Sequence, residues 1–173
     1  MKNFITIFLV LTLLIQCKTN QSDDKNNNIY KEENANFKFP KQLAYVSDFE
    51  NILTKEQNAE LSKILSDYEI KTGNQIAIVS ISENLNAENF DEFALDLSNN
   101  WGVGTAIKNN GLTIVFSEKL RKIRICTGYG TEKILTDQIC ENILNKNILP
   151  EFKKGNHFLG LKNGIGEFIE FWK

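Results

Sequence analysis

Three carboxylates carry the most pronounced chemistry in this sequence. Asp48 closes a short apolar stretch, Glu132 ends the run Gly128-Tyr129-Gly130-Thr131-Glu132, and Asp137 follows Thr136 at the start of a helical pattern. Brought to one sheet edge, they would supply hard oxygen ligands, which suit Ca²⁺ or Mg²⁺ rather than a soft transition metal. An ion held there would polarise a phosphoryl oxygen and lower the pKa of an attacking water, the chemistry of metal-assisted phosphate monoester hydrolysis. The same residues also fit ordinary turn chemistry. Asn110-Gly111 reads as a turn, Gly128 and Gly130 as relief of backbone crowding, and Asp137 as a complement to a helix dipole. A cationic clamp for phosphate is weakly represented, Arg124 being the nearest candidate.

Other chemistries are excluded by inspection. Glu132 stands six residues after Cys126, so the Cys-x5-Arg loop of a cysteine phosphatase is absent, and so are an Asp-x-Asp nucleophile motif and a Gly-x4-Gly-Lys-Ser/Thr phosphate loop. Gly128-x-Gly130 has Lys133 where a third glycine would fall, too little for a dinucleotide, and no organic cofactor is expected. His157 is the sole histidine, which rules out a multi-histidine zinc site; its place just before the last helix suits capping or packing.

These residues are positioned by a readable set of elements. Residues 43–48 form a short strand or an extended lead-in. Thr54 with Gln57 is a capping-box signature, and Leu61, Ile64, Leu65 and Tyr68 repeat at helical spacing until Gly73. Residues 75–81 are an Ile- and Val-rich run suited to a strand covered on both faces. Asn89 with Glu92 caps a second helix with Phe90, Phe93, Ala94, Leu97 and Trp101 on one face. Residues 112–117 and 122–127 make an antiparallel hairpin about the polar turn 118–121. Thr136 caps a third helix that ends before Pro150, and Phe158, Leu161, Ile165, Phe168, Ile169 and Trp172 mark the last one. The order β-α-β-α-β-β-α-α predicts a three-layer α/β/α sandwich on a mixed sheet of about four strands. The hairpin brings residues 108–111 and 128–132 to one edge, which residues 101–104 also approach, and such strand-end loops are where α/β sheets bind ligands. Cys126, in a strand, and Cys140, in a helix, read as two small buried side chains rather than a disulfide.

With 173 residues, 42% of them hydrophobic, the chain buries one core. A net charge of −2 and a pI near 5.6, without a basic cluster, exclude nucleic acid as a partner. Lys2 precedes residues 4–15, apolar but for Thr6 and Thr12 and too short for a standard membrane span. This segment runs into Leu14-Ile15-Gln16-Cys17, which resembles a bacterial lipoprotein signal, with Gln16 where Gly, Ala or Ser is usual. Residues 1–16 are then a signal peptide, Cys17 a lipidated cysteine, and the polar, Asn-rich stretch to residue 36 a disordered tether spanning roughly 20–25 Å. The expected location is the bacterial cell envelope, outside the cytoplasm and attached to the membrane by the lipid.

A wider pattern runs through residues 37–173. Val46-x-Asp48, Leu53-Thr54, Thr72-Gly73-x-Gln75-Ile76, Phe93-Ala94, Trp101-x-x-Gly104, Asn110-Gly111, Ile123-x-Ile125, Gly128-Tyr129-Gly130-x-Glu132, Thr136-Asp137 and Ile148-x-Pro150 occur in order. Together they resemble the TPM domain of thylakoid, plant and microbial proteins. The resemblance implies an α/β sandwich and export; relatives often carry a C-terminal membrane segment, and as none follows Trp172 the N-terminal lipid is the expected anchor. It also implies acid phosphatase activity and a role in photosystem II repair for a thylakoid relative, and divalent-metal binding within the family. Carried over by motif position, the site residues are Asp48, Asn110, Gly128, Tyr129, Glu132 and Asp137. Thr131 departs from the usual Leu, and Asn109 stands where an acidic residue is common. Two functions are thereby expected: a divalent-ion-stabilised module that binds envelope proteins for assembly or maintenance, favoured by the paucity of ionisable groups, or the metal-assisted hydrolase.

Overall fold

The computed structural model describes residues 37–173. The expected signal peptide, the expected lipidation of Cys17 and the expected tether lie outside the described residues. Among the described residues the sheet has four strands, β1 (Val46–Asp48), β2 (Gln75–Ser80), β3 (Gly111–Ser117) and β4 (Lys122–Thr127), in the order β1-β2-β3-β4. The first three run parallel and β4 returns antiparallel, so the sheet is mixed.

Helix α1 (Lys55–Thr72) begins as the spacing predicts. Thr54 Oγ1 accepts from Gln57 N, Gln57 Oε1 accepts from Thr54 N, and Gly73 closes the helix in the left-handed region at φ 75°. Helix α2 (Phe90–Trp101) starts differently: Asn89 makes no side-chain cap. Its Oδ1 accepts from Asn86 N while its own N–H donates to Asn86 Oδ1, so the preceding turn captures the side chain.

The third helix passes through the position where a stop was expected. Helix α3 (Asp137–Ile143) continues as a π-helical turn over Leu144–Ile148 and a last turn, α4 (Leu149–Phe152), with Pro150 in its first turn. Pro lacks an N–H, and the first turn of a helix, behind a widened one, is where that loss is tolerated. Helix α5 (His157–Phe171) completes the domain, and Trp172 beyond it stays buried.

One core lies between the sheet and α1, α3, α4 and α5. Ile76, Ile78, Leu112, Ile114 and Phe116 face it from the sheet; Leu61, Leu65, Ile143, Ile148, Leu161, Ile165 and Phe168 fill it from the helices. The alternate residues Ala77, Val79, Thr113 and Val115 turn to the opposite side. There α2 buries Phe90, Phe93, Ala94 and Leu97, giving the α/β/α layering. Tyr68 OH donates to the Trp172 carbonyl and accepts from Asn74 Nδ2 at 3.1 Å, which ties the chain end to α1.

Cys126 and Cys140 are buried and unbridged. Burial raises the Cys126 thiol pKa; burial first, and then the Asp137 carboxylate, push Cys140 up to about 11. Both are therefore protonated at neutral pH. Iodoacetamide at pH 7.5 should modify neither in the native protein and both in denaturant, as read by mass spectrometry; labelling of native Cys140 would contradict this environment. Because folding favours the neutral thiol, its stabilisation is complete below the ordinary value of 9.0 and erodes as pH rises towards about 11.

Candidate functional site

Residues 102–111 and 128–132 meet at the edge where β3 starts and β4 ends, as the hairpin predicts. Gly128 N donates to Gly111 O at 2.9 Å, and Gly130 N to Asn109 O at 3.0 Å. The two backbones touch so closely that no side chain fits between them. A Cβ on Gly111 would lie 1.9 Å from the Val103 carbonyl oxygen, one on Gly130 2.0 Å from Lys108 O, and one on Gly128 2.3 Å from Asn109 O. The glycines are there because backbone packs on backbone.

Asn110 locks this clasp. It is 5% exposed. Its Nδ2 donates to Gly73 O at 2.7 Å and Asn74 Oδ1 at 3.0 Å, and its Oδ1 accepts from Thr105 N at 3.0 Å and Thr105 Oγ1 at 3.1 Å. Two donors and two acceptor positions exhaust an amide, so Asn110 has nothing left for a ligand. Gln75 braces the same corner: its Oε1 accepts from Gly104 N at 2.6 Å and its Nε2 donates to Glu69 Oε1 at 2.6 Å. Thr131, the departure from the usual Leu, is fully buried and donates from Oγ1 to Gly111 O at 2.9 Å, a bond that Leu could not make.

The expected cluster of three carboxylates does not form. Glu132 and Asp137 belong to the clasp side and are exposed. Asp48 lies at the other edge: it pairs with Ser80, and Ser80 with Phe116. Gly111 to Phe116 spans five residues of β3, roughly 17 Å at about 3.3 Å per residue. The Asp48 carboxylate is also committed, accepting from the Ser80 hydroxyl, from Ile52 N at 3.1 Å and from Leu53 N at 2.8 Å, so it shapes the turn into α1. Among the described residues, no group of three or more His, Cys, Asp or Glu is placed to hold a metal ion. The donor set expected for Ca²⁺ or Mg²⁺ therefore does not fit one. Arg124 points to the α2 side, with Nη1 4.0 Å from Asp91 Oδ1, and is no clamp for this edge.

Glu50 was not anticipated. Its Oε1 accepts from Ser117 Oγ at 2.9 Å and its Oε2 from Glu118 N at 2.8 Å, joining the β1 exit to the β3–β4 turn. Only the β1-to-β3 register brings these residues together, and no local motif signals it.

The profile of the TPM domain matches residues 46–171. The chain belongs to the TPM domain family. Solved structures agree. The N-terminal domain of a P. gingivalis protein is 29% identical with a TM-score of 0.64, covering 73% of this chain and 80% of that one. The BA42 protein of Bizionia argentinensis is 22% identical with a TM-score of 0.60, covering 71% and 83%, and shows the fold alone. No curated protein matches.

This TPM domain displays two large apolar side chains at the clasp among charged ones. Tyr129 is 76% exposed and Ile107 95%, while Ile134, 47% exposed, faces a groove lined by Tyr68, Ile169 and Trp172. Around them stand Lys108, Glu132, Lys133 and Asp137, all exposed. Of the six residues carried over by motif position, Asn110 and Gly128 build the platform, Tyr129, Glu132 and Asp137 are presented by it, and Asp48 belongs elsewhere.

Proposed function

We propose that this TPM domain is a binding module, held at the bacterial envelope by lipid on Cys17, that docks on envelope proteins through its clasp edge. The observation that carries this reading is the contrast within the clasp: Asn110, Gln75 and Thr131 spend their polar groups internally, while Tyr129 and Ile107 are turned outward. A platform already fixed by backbone contacts loses little conformational entropy on association. Tyr is also a residue type that anchors interfaces, and the charged residues around it suit a polar rim. The hydrolase reading asks for a shared ion and a phosphate clamp, and Asp48 and Arg124 are both directed elsewhere.

Photo-cross-linking in intact cells tests the docking edge. Benzoylphenylalanine at position 129 should yield a discrete protein adduct, lost when Ile107→Asp is added, and the same probe at position 119 on the opposite edge should yield none. Equal adducts from both positions, or none from 129, would count against docking. Turnover of phenyl phosphate that requires Mg²⁺ or Ca²⁺ and disappears in Asp137→Asn would favour the hydrolase instead.

A further inference from the structure

At the far edge from the clasp, the β3–β4 turn, α4 and the start of α5 enclose a cavity of about 490 Å³. Its size lies in the range of small-molecule sites. The apolar part is Ile123, Leu149 and Phe152, with His157 set against Phe152 at a ring distance of 4.7 Å and stacked near Phe116 at 6.2 Å. Arg121 and Lys153 stand on the rim, and neither pairs with a carboxylate among the described residues. Lys122 also borders the cavity, with its ammonium 4.0 Å from Asp91. Glu118 is the one carboxylate in the lining.

Arg121 and Lys153 thus set two cations over one aromatic floor, at the mouth of a single cleft. We infer that this cavity binds a small organic phosphate, its anionic end on Arg121 and Lys153 and its apolar or planar part against Phe152 and His157. Each part of the lining suits that ligand. A guanidinium offers forked donors matched to phosphate oxygens, and an ammonium adds a point charge. A half-enclosed cleft with low-dielectric walls concentrates the field of both. Ring edges and faces such as those of Phe152 and His157 accept a planar group. Asn156 supplies no side-chain cap to α5, whose first residue, His157, lines the cavity. Nothing in this reading depends on the clasp.

The test is an NMR titration of the ¹⁵N-labelled full chain with phenyl phosphate at fixed ionic strength. Saturable shifts confined to residues 117–123 and 152–159 are expected. Arg121→Asn and Lys153→Gln, both at exposed positions, should each weaken binding about fivefold to tenfold; Asn tolerates the left-handed φ of 53° at position 121, and unchanged spectra elsewhere verify the fold. Phenol should produce no saturable shift. Shifts that stay linear with concentration, that map elsewhere, or that are the same in both variants would overturn the site. Vesicles containing phosphatidic acid offer the same phosphate on a lipid. Sedimentation with such vesicles without saturable phenyl phosphate binding would also overturn it, in favour of a headgroup surface.

Discussion

Gly111→Ala is expected to lower the unfolding free energy by about 3–5 kcal/mol, above the usual cost of overpacking because the clash is with backbone. The added carbon would lie 1.9 Å from a backbone oxygen, which cannot rotate away as a side chain would. The strand start or the 102–104 segment would have to move, breaking the bonds that Asn110 and Thr131 make there. Gly166, in α5, is the counterpart: nothing lies within 4 Å of its added Cβ. Gly166→Ala should stabilise by about 0.5–1 kcal/mol through helix propensity and lost chain entropy. Urea denaturation of both variants reads the two signs. A Gly111→Ala protein within about 1 kcal/mol of the parent would mean that the clasp is loose.

Asp48→Ala is the second large loss, about 2–4 kcal/mol, because a carboxylate that accepts from one hydroxyl and two main-chain N–H groups leaves all three without a partner. Glu132→Ala, at an exposed side chain, should change stability by no more than about 0.5 kcal/mol. The pair distinguishes a turn-forming Asp48 from a metal-ligating one. A turn-forming residue costs stability with or without Ca²⁺, and any Ca²⁺-dependent rise in Tm is the same in the Asp48→Ala protein as in the parent. If the variant kept its stability and lost such a rise, Asp48 would be a ligand.

The elements were legible because their signals are local. Thr54, Gln57 and Gly73 bracket α1 within 20 residues, and the turn at 118–121 makes 112–117 and 122–127 antiparallel neighbours. Antiparallel geometry then brings residues 108–111 and 128–132 together, so one edge of the candidate site followed from strand order. Asp48 failed for a topological reason. β1 and β3 are parallel, so the end of β1 lies with the end of β3 and away from Gly111. That inference needed only the strand directions, which a separate reading of each motif does not use. Asn110 was legible as a motif position but not as a lock, since its partner Gly73 is 37 residues away. Thr131 looked like a defect because the value of its hydroxyl depends on the Gly111 carbonyl across the hairpin.

The lock also governs when the surface exists. Residues from the end of α1, the loop before β3 and the loop after β4 all contribute to it, so Tyr129 and Ile107 take their places only after β2, β3 and β4 have paired. Until those strands pair, the segments that carry Tyr129 and Ile107 have no common frame and the platform does not exist. The surface is thereby a product of the finished fold and of no single segment.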